Sequence, residues 1–261
     1  KVTSTPNKDF TGTPVPATVQ AKDANGTPTT ATYTPTVNPV TPVGVNTYTE
    51  DIQGAPQSGK PEFKPGKTTI NGEEVEVPMD DKVPATFEDG KTTKVVPGEG
   101  TYTVAPDGTV TFTPEKTFTG KGTGVTVKRV DKNDTPVTAK YTPVVLPVTP
   151  TGKDVTSIGE KGQPQSETPV FTAGTTKVNG KTVIVPIDET VAPTFDDGTT
   201  EKKVPGEGTY TIDKNGKVTF TPEPNFVGQA KGVTVKRVDK NGTEVTAKYT
   251  PTVKPVTPTA E

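Results

Sequence analysis

Residues 208–253 read GTYTIDKNGKVTFTPEPNFVGQAKGVTVKRVDKNGTEVTAKYTPTV, and residues 100–145 read GTYTVAPDGTVTFTPEKTFTGKGTGVTVKRVDKNDTPVTAKYTPVV. The two stretches stand 108 residues apart with no insertion, and the correspondence continues outward from them. From Thr41 over Thr149 to Val148 over Val256, 62 of 108 positions are identical. The same offset lays the start of the chain on the end of a repeat, with Phe10 on Phe118, Gly12 on Gly120, Asp23 on Asp131 and Tyr33 on Tyr141. A fixed period of this kind defines the folding unit before any local assignment is made. The expected organisation is residues 1–40 as the C-terminal part of a truncated repeat, 41–148 and 149–256 as complete repeats, and 257–261 as the start of a next linker. The chain reads as a fragment of something longer.

The aromatic residues give the repeat its physical meaning. Of fifteen Phe and Tyr, fourteen fall on six recurring positions: Phe63/Phe171, Phe87/Phe195, Tyr102/Tyr210, Phe112/Phe220, Phe10/Phe118/Phe226 and Tyr33/Tyr141/Tyr249. Only Tyr48 has no counterpart. A disordered tract has no reason to hold its few large apolar groups in step. A small core does, because each buried ring contributes roughly 1.5–3 kcal/mol. Each repeat is therefore expected to be a folded domain of the commonest size.

Turn chemistry supplies the strands. TTKV-NG-KTVIVP is two β-branched runs around Asn179 and Gly180, the pair that best fits a type I′ hairpin because both central residues need positive φ. Asn71-Gly72 repeats it. Two further hairpins turn at Asn215-Gly216 and Asn241-Gly242, matched by Asp107-Gly108 and Asn133-Asp134. Seven or eight short strands per repeat are expected. No window shows a 3.6-residue apolar period, and prolines interrupt nearly every candidate helix. The fold class predicted is all-β: tandem antiparallel β-sandwich domains of immunoglobulin-like type, joined by Pro-rich extended linkers. The joints are YTPTVNPVTPVG from Tyr33, YTPVVLPVTPTG from Tyr141 and YTPTVKPVTPT from Tyr249, where clustered prolines favour polyproline II, although part of each could belong to flanking strands.

Composition excludes most chemistry. Apolar residues are 28% of the 261, so any core is small, and the 54 threonines, 29 prolines and 26 glycines suit a protein of many turns. There is no Cys, His or Trp, which removes disulfides, thiol nucleophiles, the usual zinc ligand sets and all imidazole catalysis. Lys and Arg number 29 against 31 Asp and Glu, and only Arg129 and Arg237 are arginine, a balance that argues against nucleic acid. No stretch approaches the ~18 apolar residues of a membrane span, and the N-terminus has no signal-peptide core.

The remaining motifs have bland readings. Asp80-Asp81/Asp188-Glu189 and Glu88-Asp89/Asp196-Asp197 could serve as glycosidase or calcium carboxylates, but Asp beside Gly90 or Gly198 suits a turn, and no calcium-loop pattern appears. GTTKVNGKT from Gly174 misses the P-loop spacing by one residue and falls in a hairpin. N-x-T sequons at Asn25, Asn133 and Asn241 all occupy one hairpin turn, where Asn is wanted for its backbone. A spontaneous Lys–Asn or Lys–Asp isopeptide bond is a further possibility, with Lys128/Lys236 as nucleophile, Asn133/Asn241 or Asp131/Asp239 as acceptor and Glu99/Glu207 as proton shuttle. No catalytic, cofactor-binding or metal-ligating residue is assigned, and no cofactor is expected.

Taken together, residues 208–253, the leading TPTGKDVTS at Thr149 and VPGEGTY at Val204 resemble the CshA-type fibril repeat of Gram-positive cell-wall adhesins. The resemblance covers both full repeats and the partial one, which departs by having Ser4 where Phe112 and Phe220 stand. It implies a tandem, extracellular, wall-attached stalk with no catalytic residues. The partners it implies are neighbouring repeats of the same chain, with host matrix or microbial surface ligands engaged by regions outside this fragment. A competing reading makes the repeats themselves adhesive binding modules: only 25 of 56 positions agree between Thr41 and Val96 and their counterparts, against 37 of 52 from Pro97 to Val148. An enzyme is disfavoured for want of His, Cys or a convergent acid cluster.

Overall fold

The computed structural model describes residues 1–257, so the linker start expected at 257–261 lies, from Pro258 onward, outside the described residues. All regular structure among the described residues is β-strand. The chain divides into two compact units: Lys1–Thr49 with Pro56–Thr113 and Lys121–Val144, and Glu50–Ala55 with Pro114–Gly120 and Val145–Glu261.

In the second unit, one sheet orders Gln165–Glu167, Val218–Pro222, Gly208–Ile212 and Glu201–Val204, all antiparallel. The other orders Val155–Glu160, Glu244–Lys254, Val233–Val238 and Thr194–Phe195, with Gly228–Gln229 also pairing to Glu244–Lys254. Its first pair is parallel, from Val155 opposite Tyr249 to Glu160 opposite Lys254; the others are antiparallel. Strand alternation turns Tyr210, Val218, Phe220, Val233, Val235 and Tyr249 inward, into one cluster with Phe195, against which Phe171 and Phe226 pack. The threonines between them, such as Thr211 and Thr221, face outward, where β-branched side chains suit a pleated surface. Tyr210 lies 4.6 Å from Phe220 and meets Tyr249 edge-on at 6.5 Å.

The first unit repeats the plan. Thr93–Val96, Gly100–Val104, Val110–Pro114 and Gln57–Gly59 form one sheet; Gly120–Lys121, Pro136–Leu146, Val125–Val130 and Thr86–Phe87 form the other, with Thr47–Ile52 added to Pro136–Leu146. Tyr102, Phe112 and Tyr141 are fully buried and Phe87 nearly so. Residues 1–40 contribute the hairpin Ala17–Lys22/Pro28–Tyr33, exposed along its length. Tyr33 is 37% exposed although its counterparts Tyr141 and Tyr249 are buried. In the complete repeats, Tyr102 and Tyr210 lie against that ring. Ser4 stands at the position of Phe112 and Phe220.

One expectation needs correction. Residues 149–256 hold thirteen strands rather than seven or eight, because short separate pairings, such as Thr151–Lys153 with Val170–Thr172, stand beside the two sandwich sheets. Of the two readings left open for the proline-rich joints, the joints from Tyr141 and Tyr249 follow the one in which flanking strands take in part of the segment. Pro136–Leu146 takes in Pro143 and Glu244–Lys254 takes in Pro251, so only residues 147–150 lie between regular segments at that joint. Proline lacks a donor but keeps its acceptor: Pro143 O receives Gly122 N–H at 2.8 Å and Pro251 O receives Ala230 N–H at 2.9 Å.

Candidate functional site

The recurring polar residues tie the two sheets of each unit together. In the first unit Glu99 is 7% exposed. It accepts hydrogen bonds from Tyr102 Oη, from Thr123 N at 2.8 Å and from Thr123 Oγ1 at 2.7 Å. Tyr102 Oη in turn accepts from Gly124 N at 3.1 Å. The clasp needs Gly122, since a Cβ there would lie 2.7 Å from Tyr102 Oη and 3.0 Å from Glu99 Oε1. In the second unit Ala230 stands at that position and the clasp has changed: Tyr210 Oη accepts from Gly232 N at 3.2 Å, while Glu207 receives Lys231 N at 3.1 Å. Burial first, and donation to Glu99 next, push the Tyr102 hydroxyl up from its usual range. Burial pushes Tyr210 up to about 12, the Gly232 N–H opposing it.

A second clasp joins three strands. Thr49 Oγ1 lies 2.6 Å from Tyr141 Oη and 2.5 Å from Gln57 Oε1, and Gln57 Nε2 donates to Val144 O at 3.0 Å. Ser157, Tyr249 and Gln165 repeat it, with Ser157 bonded to both partners and Gln165 Nε2 donating to Thr252 O at 3.1 Å. These groups are absent from the sequence-based expectations, although the recurrence of Pro56-Gln57-Ser58 at Pro164-Gln165-Ser166 signals them.

The acid pairs occupy turns. Asp80, Asp89, Asp188 and Asp197 each accept, through Oδ1, a backbone N–H two residues on, from Lys82, Lys91, Thr190 and Thr199. Arg129 Nη2 reaches Asp81 at 2.8 Å and Arg237 Nη2 reaches Glu189 at 2.6 Å, fixing those turns to the adjoining strands. The Arg129 guanidinium holds the Asp81 carboxyl below its ordinary range. Among the described residues no three acids converge on a point that a metal ion could occupy.

The sequon turns need a different explanation from the one expected. Asp131 and Asp239 are buried, and each Oδ1 accepts two backbone N–H groups, from Asn133 and Thr135 or from Asn241 and Thr243, at 2.8–2.9 Å. The aspartate anchors the turn, and the positive φ falls on Asp134 (63°) or Gly242 (77°) rather than on Asn. Asn71 (51°) and Asn179 (48°) do carry positive φ, ahead of Gly72 and Gly180, as a type I′ turn requires.

The isopeptide constellation is not assembled. Val127 and Val235 face the core, so alternation turns Lys128 and Lys236 to the opposite face of their strands. Lys236 Nζ lies 3.4 Å from Glu244 Oε1. The proposed acceptors and shuttles are held elsewhere, Asp131 and Asp239 by their turns and Glu99 and Glu207 by Thr123 and Lys231. GTTKVNGKT forms the hairpin Gly174–Val178/Lys181–Val185, with no helix to receive a phosphate.

These features define a tandem all-β protein of immunoglobulin-like sandwiches whose shared residues build cores and clasps. The family model for the surface adhesin CshA repetitive domain matches residues 1–37, 39–145 and 147–253, and the chain belongs to that family. Repeat domain 13 of the fibrillar adhesin CshA from Streptococcus gordonii, solved by NMR, is 67% identical over 26% of this chain and 86% of its own, with a TM-score of 0.17. The I9–I11 tandem of titin is 13% identical over 92% of this chain and 74% of its own, TM-score 0.30. The human desmocollin-1 ectodomain is 13% identical over 98% of this chain and 50% of its own, TM-score 0.30. No curated protein matches. Among the described residues no helix is long and apolar enough to cross a membrane.

Proposed function

We propose that the repeats are structural segments of a bacterial cell-surface adhesin, forming a stalk that holds an adhesive tip away from the cell wall. The observation that carries this reading is where the shared side chains go. Tyr102/Tyr210, Phe112/Phe220, Tyr141/Tyr249 and Gln57/Gln165 are used in cores and inter-sheet bonds. The repeats diverge at exposed positions, as in the hairpin Gly66–Ile70/Glu73–Val77, which surface drift explains without a ligand. On this reading residues 41–148 and 149–256 are single domains, 1–40 closes another, and the partners are neighbouring repeats. The protein is extracellular and wall-attached, and it performs no catalysis. Small-angle scattering is expected to give an extended profile, and a globular one rejects the stalk. Plasmon resonance against matrix proteins is expected to show no saturable signal; a saturable one favours binding modules.

A further inference from the structure

Two loops that belong in sequence to residues 41–148, Glu50–Ala55 and Pro114–Gly120, group within the second unit with Val145–Glu261. The turn after Asp239 holds them there. Asn241 Nδ2 donates to Gln53 O at 2.7 Å. Gln53 Nε2 donates to Lys116 O at 2.9 Å and reaches Thr243 Oγ1 at 3.4 Å. The fit leaves no slack: Gln53 is 7% exposed, and a Cβ on Gly54, whose φ is 81°, would lie 2.6 Å from Asn241 Oδ1. The Asp-anchored turn of one repeat thus sits in a socket made by two loops of the repeat before it.

The equivalent positions one repeat on are open. Lys161 replaces Gln53 and is exposed, and a Cβ on Gly162, the counterpart of Gly54, would meet nothing within 4 Å. Val148 is fully buried, whereas its counterpart Val256 is 56% exposed. Ile158 and Val227, at the positions of Glu50 and Thr119, are 66% and 42% exposed. The first unit has a different contact at the equivalent turn. Lys8, at the position of Lys116, reaches Asp134 at 2.8 Å. A cavity of about 620 Å³ opens there, bordered by Phe10, Val37, Val40, Asn133 and Asp134.

We propose that Ile158, Lys161, Gly162, Val227 and Val256 form a docking surface for a further copy of a repeat, which seats its Asp-x-Asn-x-Thr turn there as Asp239–Thr243 seats between Gln53 and Lys116. The inference rests on the stalk reading for its purpose and on the Asn241–Gln53 contact for its geometry. The test is amide exchange on the full chain and on the chain lengthened after Val256 by a second copy of residues 149–256. The added copy is expected to slow exchange at Gly162 and Gln163 by about tenfold, the scale of one hydrogen bond. In the unextended chain, Asn241→Ala is expected to speed exchange at Gln53 and Ala55 by about tenfold. Asn133→Ala, the same change in the equivalent turn, is expected to leave those amides alone, which separates lost docking from turn damage. Unchanged Gly162 and Gln163 beside a folded added copy, or equal effects of the two alanine variants, overturns the proposal. Scattering judges the stalk separately, since repeats can be extended with or without this seat.

Discussion

Replacing Tyr102 by Phe removes one oxygen from the interior of the first unit and leaves the ring in place. Two hydrogen bonds go with it. One runs to the buried Glu99 carboxylate and one comes from Gly124 N–H. A bond to a charged group contributes about 1.5–3 kcal/mol and a neutral one about 0.5–1.5, so the expected loss is roughly 2–4 kcal/mol. Tyr210→Phe loses only the Gly232 N–H bond and is expected to cost about 0.5–1.5 kcal/mol. For a domain of this size each kcal/mol moves the midpoint by about 4–8 °C, so Tyr102→Phe should melt its unit at least ~8 °C early. Thermal unfolding followed by NMR separates the units, with Val127 reporting the first and Val235 the second, both fully buried. Equal shifts for the two variants, or a Tyr102→Phe midpoint within a degree or two of the parent, would refute the idea that the Glu99 clasp bears load in one unit and has been relaxed in the other.

Gly122→Ala is expected to convert the first clasp toward the second by displacing Tyr102 Oη from Glu99, and the Tyr102 hydroxyl shift in NMR spectra should then approach that of Tyr210. Alkaline stability follows from Tyr210, whose hydroxyl burial pushes up to about 12 from 10.0. The stabilisation of the protonated fold is therefore whole below pH 10 and is lost as pH rises through 12, by on the order of 2–3 kcal/mol in urea titrations; a flat profile there would contradict burial of the hydroxyl. Phe220→Ala opens a cavity beside Tyr210 and Phe226 and should cost about 3–5 kcal/mol in chemical unfolding, whereas half-buried Phe226→Ala should cost clearly less. Gly54→Ala should cost more than Gly162→Ala: both require positive φ, but only the first meets Asn241, and calorimetry of the two variants compares them.

The aromatic register was legible because a ring spaced by the repeat has one economical explanation, and Phe112/Phe220 and Tyr141/Tyr249 are buried as that explanation requires. The Asn-Gly turns at Asn71 and Asn179 were legible because positive φ at two successive residues is a local demand. What escaped was non-local. Nothing in VTSIGE announces that Val155–Glu160 runs parallel to Glu244–Lys254, a partner about ninety residues away. Asp131 and Asp239 look like any turn aspartate until their burial is seen. The change from Gly122 to Ala230 reads as drift between small residues, yet it rewires the tyrosine beside it.

Tyr102, Phe112 and Tyr141 are enclosed in the first unit as Tyr210, Phe220 and Tyr249 are in the second. Native-state amide exchange on the full chain tests this enclosure most directly. Two sets of slowly exchanging amides are expected, in Gly100–Val104, Val110–Pro114 and Val125–Val130 and again in Gly208–Ile212, Val218–Pro222 and Val233–Val238, with Ala17–Lys22 exchanging fast. Uniformly fast exchange across both sets would contradict it.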